Sequence, residues 1–306
     1  WTFDHFYPIF SDSAGPCLEG WTTLTALAQA TTRLRLGTMV TGIHYRHPAV
    51  LANMAAAVDI ISDGRLELGV GAGWNEEESG AYGIELGSVT ERFDRFEEAC
   101  QVLIGLLSQE STDFDGRFYQ LTAARNEPKG PQRPHPPICI GGGGEKRTLR
   151  ITAKYAQHWN YPGGTPKDFA HKRDVLAAHC VEVGRDPKEI MMSAQIRLTP
   201  ELNYSAVIAD AIAFVDHGGL EQPDWAVSVQ VLPVLAVLTQ PPASVQVSVV
   251  QGLPSSQFCV VPRQAPALHL SPVVQALPSL QGALVGVKLQ PVAGSQLSLV
   301  QSLPSL

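Results

Sequence analysis

Cysteine is scarce in this chain of 306 residues, and its five cysteines are scattered without the Cys-x-x-Cys spacing of zinc and redox motifs. The sequence therefore predicts neither a metal site nor a disulfide framework, and a reducing, cytoplasmic location is expected. The first residues also lack a basic segment followed by an apolar run, so no secretory signal is expected there. Because the chain begins at Trp1 and not at methionine, we expect that its natural beginning is missing.

An excess of positive charge is absent as well. The 22 lysines and arginines are outnumbered by 29 aspartates and glutamates, which gives a net charge of -7. Proteins that bind nucleic acids carry a basic surface, so this balance argues against that class of function. We expect neither a nucleic acid nor a membrane as a partner. With 44% hydrophobic residues, the chain is long enough to bury one large α/β domain or two smaller ones.

Charged side chains are almost missing from residues 219–306. The charged residues of that region are Glu221, Asp224, Arg263 and Lys288. The region consists mainly of Val, Leu, Pro, Gln, Ser and Ala, and a Val-Gln-x-Leu-Pro-Ser hexapeptide recurs at 250–255, 274–279 and 300–305. The spacing of these repeats is uneven and their prolines interrupt each possible strand, which argues against a solenoid.

This contrast in charge predicts two regions, a folded domain at 1–218 and a low-complexity tail at 219–306 that is not natively folded. The apolar composition of the tail is the opposite of that of ordinary disordered segments, which are polar and charged. We therefore hypothesise that the tail comes from a shifted reading frame or a misassembled gene. The nucleotide sequence tests this hypothesis, because a neighbouring frame would then encode a regular β/α ending.

Residues 1–218 alternate between helical and strand patterns. Helices are predicted at 19–32, 48–61, 91–107, 145–155, 166–183 and 204–216. Strands are predicted at 33–40, 65–71, 137–140, 158–160 and 189–198, with a β-hairpin inserted at 113–121. This alternation indicates parallel βαβ units, arranged either as a (β/α)8 barrel or as a doubly wound sheet.

Two of the predicted strands end in glycines. The strand at 65–71 leads into an acidic loop that contains Trp74, and its glycines let the backbone pass close to a ligand. The strand at 137–140 leads into the glycine run 141–144 and then into a helix, where backbone N–H groups and the helix dipole favour a phosphate. Each run is also compatible with a plain strand-to-helix turn, the first one capped by Asn75. In a barrel, ligand-binding residues lie just after the strands, as these runs do.

Six separated segments, in order along the chain, carry a resemblance to one protein family. The segments are Asp4-His5-Phe6, 18–24, 35–38, 45–52, 64–78 and 136–142. They resemble the luciferase-like monooxygenase superfamily, and within it most closely the branch of coenzyme F420-dependent oxidoreductases. The resemblance spans about residues 1–218. It implies a TIM (β/α)8-type barrel that holds F420, an 8-hydroxy-5-deazaflavin, at the carboxyl ends of its strands.

The resemblance implies an oxidoreductase that transfers a hydride between F420 and a small organic substrate. By this likeness His5 is the acid/base or hydrogen-bonding group beside the cofactor ring, and Asp4 helps to orient it. Glu76 is the candidate catalytic carboxylate, although some relatives carry that group directly after the glycines, where this chain has Trp74.

The same likeness assigns the cofactor-binding residues. They are Thr38, Met39, Val40, Trp74, Asn75, Gly141, Gly142 and Gly143. The backbone at 38–40 is implied to form a bulge against the central ring, with a cis peptide expected between Met39 and Val40. Trp74 and Asn75 are implied to line the ring pocket, and the three glycines to bind the phosphate.

The chain departs from this family at both ends. The first strand and helix of the family are missing, and the tail stands where its last strand and helix are expected, so we expect an incomplete barrel. A homodimer is an expectation for the intact parent protein. Two alternatives stay open, a reduced-FMN-dependent monooxygenase of the same superfamily and a non-functional fragment with an interaction or out-of-frame tail. The substrate is not predicted, because variable loops such as 82–90 build its pocket.

Overall fold

The structure of the protein, a computed structural model, describes residues 1–10, 12–198, 209–214 and 216, together with four short strands farther along the chain. The helices are α1 (Gly20–Ala30), α2 (Pro48–Ile61), α3 (Glu76–Ala81), α4 (Val89–Ser108), α5 (Thr148–Tyr155) and α6 (Pro166–Glu182). The strands are β1 (Leu36–Gly37), β2 (Thr41–Gly42), β3 (Leu66–Gly71), β4 (Thr112–Asp115), β5 (Gln120–Ala124), β6 (Ile138–Gly141), β7 (His158–Tyr161), β8 (Met191–Leu198), β9 (Ala226–Val231), β10 (Gln246–Gln251), β11 (Arg263–Gln264) and β12 (His269–Leu270).

One parallel sheet organises the fold. Its strand order is β1-β3-β6-β7-β8-β9-β10, and β2 pairs with the last residues of β3. The start of the chain extends the β1 edge, because the Thr2 N–H donates to the Gly37 carbonyl (3.0 Å) and the Met39 N–H donates to the Thr2 carbonyl (2.8 Å). The result is an α/β fold with a parallel half-barrel sheet, which confirms the predicted α/β class. That the parent fold is an incomplete TIM-type barrel stays a prediction.

The two faces of β3 explain how the sequence positions the site. Leu66, Leu68 and Val70 are fully buried and pack with side chains of α1, α2 and α4 in one apolar cluster. The alternate residues, Glu67 and the glycines of β3, point to the opposite face, which is the interior of the half-barrel. A second apolar cluster joins α5 and α6 to β7 and β8. The helices thus hold the sheet from outside and leave its inner face for polar groups.

Helix α2 has the predicted bounds because both of its ends carry clear local signals. Pro48 stands at its first turn, and the His47 side chain caps it by accepting a hydrogen bond from the Ala49 N–H (3.1 Å). After its last residue the chain turns through Asp63 (φ 55°) and Gly64 (φ 75°), a left-handed conformation that ends a helix.

Several predicted elements are shorter in the structure. The strand predicted at 33–40 is confined to Leu36–Gly37, because the residues before it are exposed and the chain leaves the ladder after a single bridge at Thr38. The helix predicted at 145–155 begins only at Thr148, because a turn follows the glycine run. The predicted hairpin is confirmed by the antiparallel pair β4 and β5.

Most of the predicted tail, and most of the helix predicted at 204–216, lie outside the described residues. Where the tail is described, β9 continues the sheet in parallel beside β8, and β10 continues it beside β9. The prediction that the tail is not natively folded stays a prediction. Within the described part of the chain, none of the helices combines the length and the apolar composition needed to cross a bilayer.

Candidate active site

A cavity of about 460 Å³ lies at the carboxyl ends of the parallel strands. Ligand pockets of proteins commonly have volumes of about 300 to 1,000 Å³. Of the residues predicted for the site, those that line this cavity are His5, Met39, Val40, Trp74, Gly141 and Gly142. Asp4, Thr38, Asn75, Glu76 and Gly143 do not line it. The structure therefore brings the two predicted glycine runs and the histidine motif to one place.

One wall of the cavity consists of backbone. Gly42, Gly71, Gly73, Gly141 and Gly142 all line it. A Cβ atom at Gly71 would lie 2.8 Å from a methyl group of Val40, and one at Gly73 would lie 2.4 Å from the His44 ring. These distances are shorter than non-bonded contacts allow, so larger residues do not fit without displacing the wall.

The predicted bulge at 38–40 is present, because these three residues lie opposite only two residues of β3, between the pairs Gly37–Glu67 and Thr41–Val70. The peptide bond between Met39 and Val40 is cis as predicted. Thr38 anchors the bulge, because its hydroxyl donates to the Gly69 carbonyl (3.0 Å). A Cβ atom at Gly69 would lie 1.8 Å from the Thr38 carbonyl oxygen, so glycine is required for this close approach. Thr38 supports the bulge from below, and Met39 and Val40 face the cavity.

The strongest polar feature of the cavity is the pair of His5 and Glu78. The His5 Nδ1 atom lies 2.7 Å from a carboxylate oxygen of Glu78, whose side chain is 0% exposed. The same carboxylate accepts hydrogen bonds from the Phe6 N–H (2.6 Å) and from the Tyr45 hydroxyl (2.5 Å). His5 Nε2 makes no hydrogen bond to a described residue. One nitrogen of the ring is thus held, and the other is free for a ligand.

The environment of Glu78 keeps it ionised. Burial acts to raise the pKa of its carboxyl, but the hydrogen bonds from Tyr45, from His5 and from the Phe6 N–H outweigh burial and place the pKa below its ordinary value. Burial and the neighbouring Glu78 charge in turn raise the pKa of Tyr45, which keeps that hydroxyl a donor. An ionised carboxylate is acceptor-only, so the hydrogen on His5 Nδ1 points to Glu78.

The residues of the acidic loop at 74–78 lie in different places relative to the cavity. The Glu76 side chain is 82% exposed and lies 3.9 Å from Arg92, so the structure does not bring it to His5. Asn75 caps α3 by accepting a hydrogen bond from the Glu78 N–H (3.1 Å). Trp74 reaches the cavity, with its ring 5.7 Å from that of His5 in an edge-to-face arrangement. The carboxylate at the site is therefore Glu78.

Asp4, predicted to orient His5, pairs with another residue. Its two carboxylate oxygens accept from the Arg46 guanidinium, one of them at 3.1 Å. The same guanidinium lies 3.7 Å from Glu19. Asp4 and Arg46 thus fix the backbone that precedes His5, while Glu78 holds the ring itself.

Glu78 and His44 are among the site residues that were not assigned from the sequence. Glu78 stands three residues after Asn75, and that spacing of a cap and a carboxylate places it one helical turn inside α3. The His44 ring lines the cavity, and its centroid lies 4.0 Å from that of Tyr45 at an interplanar angle of 39°. Its Nε2 atom lies 3.3 Å from the Ser79 hydroxyl. Burial lowers the pKa of His44 to about 4, so this imidazole is neutral at neutral pH.

The glycine run that was predicted to bind a phosphate precedes α5. Arg147, at the N-cap of α5, offers no side-chain hydrogen bond to the helix, and the Thr148 side chain lines the cavity. A Cβ atom at Gly143 would lie 3.9 Å from the Lys172 side chain, whose amino group donates to Glu145 (2.6 Å). The amino end of α5 and the Lys172 side chain therefore both lie next to the glycine run 141–144.

A chain of hydrogen bonds runs from the cavity floor into the half-barrel. Gln195 and Asn160 line the floor, and the Gln195 amide donates to the Asn160 carbonyl oxygen (2.9 Å). Asn160 donates to the Ser193 hydroxyl (2.7 Å), which lies 2.7 Å from His158 Nε2. His158 Nδ1 lies 2.8 Å from Glu67. The side chains of Gln195 and Asn160 are therefore held in place by hydrogen bonds to residues beneath the cavity floor.

Comparison with known proteins places this arrangement in one family. The family model of luciferase-like monooxygenases matches residues 1–239. A pyrimidine monooxygenase of Methylobacterium radiotolerans is 35% identical over 174 residues, which are 55% of this chain and 44% of that protein. An F420-dependent hydroxymycolic acid dehydrogenase of Mycobacterium tuberculosis is 28% identical over 235 residues, which are 73% of this chain and 61% of that protein. The chain spans less than two thirds of the length of these relatives.

A solved structure of an F420-dependent secondary alcohol dehydrogenase, in complex with an F420–acetone adduct, is similar in fold. It has a TM-score of 0.59 and 26% identity, and the match covers 64% of this chain and 59% of that one. The family model covers residues 1–239, which include the strands that carry the cavity and make up more than half of the chain. The chain therefore belongs to the luciferase-like monooxygenase family.

Proposed function

We propose that the protein is an F420-dependent oxidoreductase that transfers a hydride between the deazaflavin and a small organic substrate such as an alcohol or a ketone. The observation that carries this proposal is the His5–Glu78 pair at the cavity wall. When bound, a deazaflavin takes up or gives a hydride at a ring carbon. The reaction then needs a protein group that moves the accompanying proton, and His5 is that group.

His5 suits proton transfer because its two nitrogens have different tasks. Nδ1 donates to the ionised Glu78 (2.7 Å), which leaves Nε2 as the basic atom toward the ligand. In alcohol oxidation the hydroxyl proton goes to Nε2, and in ketone reduction the same proton returns to the oxygen. The buried negative charge of Glu78 stabilises the protonated imidazole between these events.

The residues of the cavity fit a flat ring with a phosphate-bearing tail. The glycines of the wall offer a surface of backbone without Cβ atoms, next to the bulge at 38–40. Trp74 adds an aromatic side, and Asn75 acts by capping the helix that carries Glu78. For the tail, the glycine run, the start of α5 and Lys172 would supply N–H groups and a positive charge.

The named activities of relatives support the same proposal. The dehydrogenases of Mycobacterium tuberculosis and of the solved structure are described as F420-dependent. An F420-dependent glucose-6-phosphate dehydrogenase of Amycolatopsis mediterranei is also similar, with 33% identity over 158 residues. Alcohol oxidation is the chemistry that the His5–Glu78 pair is arranged to assist.

A reduced-FMN-dependent monooxygenase is the second candidate. The observation that favours it is the 35% identity with the pyrimidine monooxygenase, which exceeds the 28% identity with the hydroxymycolic acid dehydrogenase. A flavin and a deazaflavin have similar ring shapes, so the same backbone wall would hold either one. The two candidates differ in their use of oxygen.

A cofactor comparison tests the proposal. The chain is titrated separately with F420 and with FMN while the fluorescence of each cofactor is followed, and reduction of F420 by 2-propanol is then measured without oxygen. We expect micromolar binding of F420 and slow F420 reduction. His5→Asn should keep the binding and lose the reduction, whereas His171→Asn, a change at an exposed histidine of α6, should alter neither. Tight binding of FMN with oxygen-dependent turnover, and no binding of F420, would establish the second candidate.

A further inference from the structure

Exposed aromatic side chains are concentrated at one place on the described surface. Phe6, Trp74 and Tyr82 are 44%, 62% and 51% exposed, and every other Phe, Tyr or Trp in the described part of the chain is more buried. We call these three residues the aromatic rim. Contiguous exposed apolar surface of this kind is typical of binding sites.

The aromatic rim is linked to His5 through ring contacts. Trp74 lies with its ring centroid 5.7 Å from that of His5. Tyr45 lies 6.4 Å from His5, Phe6 lies edge-on to Tyr45 at 5.5 Å, and Tyr82 stacks on Phe6 at 4.2 Å. Trp74 and Tyr45 line the cavity, so the rim adjoins the cavity. A molecule that rests on it is in reach of the proton-transferring group.

The charges next to the rim are negative. Glu76 is 82% exposed and Glu77 is exposed as well. The cation beside them, Arg92, is only 10% exposed and already lies 3.9 Å from Glu76. An anionic group at the rim would therefore meet the exposed carboxylates of Glu76 and Glu77.

The loop beside Tyr82 leaves room for a bulky group. A Cβ atom at Gly80 or at Gly83 would have no atom within 4 Å. Large flat rings stack or pack edge-to-face with aromatic side chains and gain free energy beyond that of the area they bury. The exposed rings of the rim thus offer a flat ring such contacts next to the cavity.

From these contacts we propose that the substrate is an uncharged molecule with an aromatic or bulky alicyclic group, which packs against the aromatic rim while its carbinol or carbonyl carbon faces His5. This assignment deepens the proposed hydride transfer and rests on it. It excludes phosphorylated and other anionic substrates from efficient binding.

A binding experiment without cofactor tests the rim directly. Dissociation constants of acetone, acetophenone and benzoylformate are measured by saturation-transfer NMR titration of the full chain. We expect acetophenone to bind about tenfold more tightly than acetone, because it adds a ring at the rim. Benzoylformate, which has the same ring and a carboxylate, should bind several-fold more weakly than acetophenone.

Variants of the rim residues test whether the preference for acetophenone arises at the aromatic rim. Trp74→Ala and the double variant Phe6→Ala/Tyr82→Ala should each reduce the preference for acetophenone over acetone toward unity. Val181→Ala, which removes an exposed apolar side chain on α6 away from the cavity, should leave the preference unchanged. Circular dichroism confirms that each variant is folded, and Trp74→Phe, which keeps a ring, should restore most of the preference.

The outcomes separate this inference from the proposed function. Equal binding of the two ketones, or a preference that the rim variants do not change, would overturn the inference even if F420 is reduced. A ring preference that depends on the rim would support it even if FMN proves to be the cofactor. A dimer that dissociates in the Phe6→Ala/Tyr82→Ala variant would show that the rim is an interface between two copies, and that would also overturn it.

Discussion

Two histidine–carboxylate pairs are largely buried in the described part of the chain, and they differ in what surrounds the second nitrogen of each ring. His5 lies 2.7 Å from Glu78 at the cavity, and His158 lies 2.8 Å from Glu67 inside the half-barrel. His158 Nε2 is occupied by the Ser193 hydroxyl at 2.7 Å. His5 Nε2 has no partner among the described residues. The same chemical pair is therefore fully hydrogen-bonded at one position, whereas at the other it leaves one nitrogen for the proton transfer that we propose.

The comparison teaches that pairing alone does not identify a catalytic histidine. A buried carboxylate fixes the tautomer and orientation of both rings. Only a ring with a nitrogen left over, next to a space for a ligand, is able to exchange a proton with a substrate. Substitutions at the two pairs should accordingly affect different quantities.

The largest effect is expected from His5→Asn. Loss of the proton-transferring group should lower kcat for alcohol oxidation by about 10²- to 10⁴-fold, because general acid–base catalysis contributes about that much. The free energy of unfolding should change little. Steady-state kinetics with F420, together with urea unfolding of the same variant, measures both quantities.

His158→Asn is expected to have the opposite pattern, with a large effect on the free energy of unfolding and a small effect on kcat. Removal of His158 leaves the buried negative charge of Glu67 without one of its two partners. Breaking such a buried pair lowers the free energy of unfolding by about 3–5 kcal/mol. The kcat of the protein that stays folded should fall much less than in His5→Asn. If His158→Asn abolished kcat without loss of stability, the distinction between the two pairs would be wrong.

A smaller effect is expected from Tyr45→Phe. Its hydroxyl donates to Glu78 at 2.5 Å, and its removal should raise the pKa of that carboxyl. Because Glu78 acts in its ionised form, kcat should fall about tenfold, as expected for loss of a hydrogen bond to a charged group. The acid limb of the pH–rate profile should also move to higher pH. Tyr155→Phe, a change at a hydroxyl outside the cavity, serves as the control.

The smallest effect concerns pH and stability. Burial acts to raise the pKa of Glu67, but the hydrogen bond and charge of His158 and the charge of Arg35 outweigh it and lower the pKa from 4.5 to about 2. A depressed carboxyl pKa stabilises the folded state above pH 4.5, and this stabilisation is lost as the pH falls from 4.5 toward 2. At pH 4 the loss should be about 1 kcal/mol relative to pH 7. Urea unfolding at both pH values should show this loss, and Glu67→Gln should reduce it.

Helix α2 and the bulge at 38–40, with its cis peptide, are features that the sequence predicted correctly. The bounds of α2 follow from His47-Pro48 at one end and Asp63-Gly64 at the other, which are local signals. The bulge at 38–40 followed from the resemblance to a family. Both predictions depend on residues that are neighbours in the chain.

Glu78 shows what the sequence did not reveal. Three consecutive glutamates are indistinguishable by residue type, and only the rotation of α3 decides which of them is buried. His5 and Glu78 are 73 residues apart, so their contact depends on the packing of two separate loops. Asp4 illustrates the same limit, because its neighbour in sequence is His5 but its partner in space is Arg46.

The backbone wall of the cavity also has an entropic consequence. When a ligand binds against long side chains, each side chain that becomes fixed opposes binding by about 0.5–1.5 kcal/mol. Glycines such as Gly71, Gly141 and Gly142 have no rotamers to lose, so the wall is in its bound arrangement before the ligand arrives. A flat ring that binds to this wall therefore loses no affinity to the ordering of side chains at these glycines.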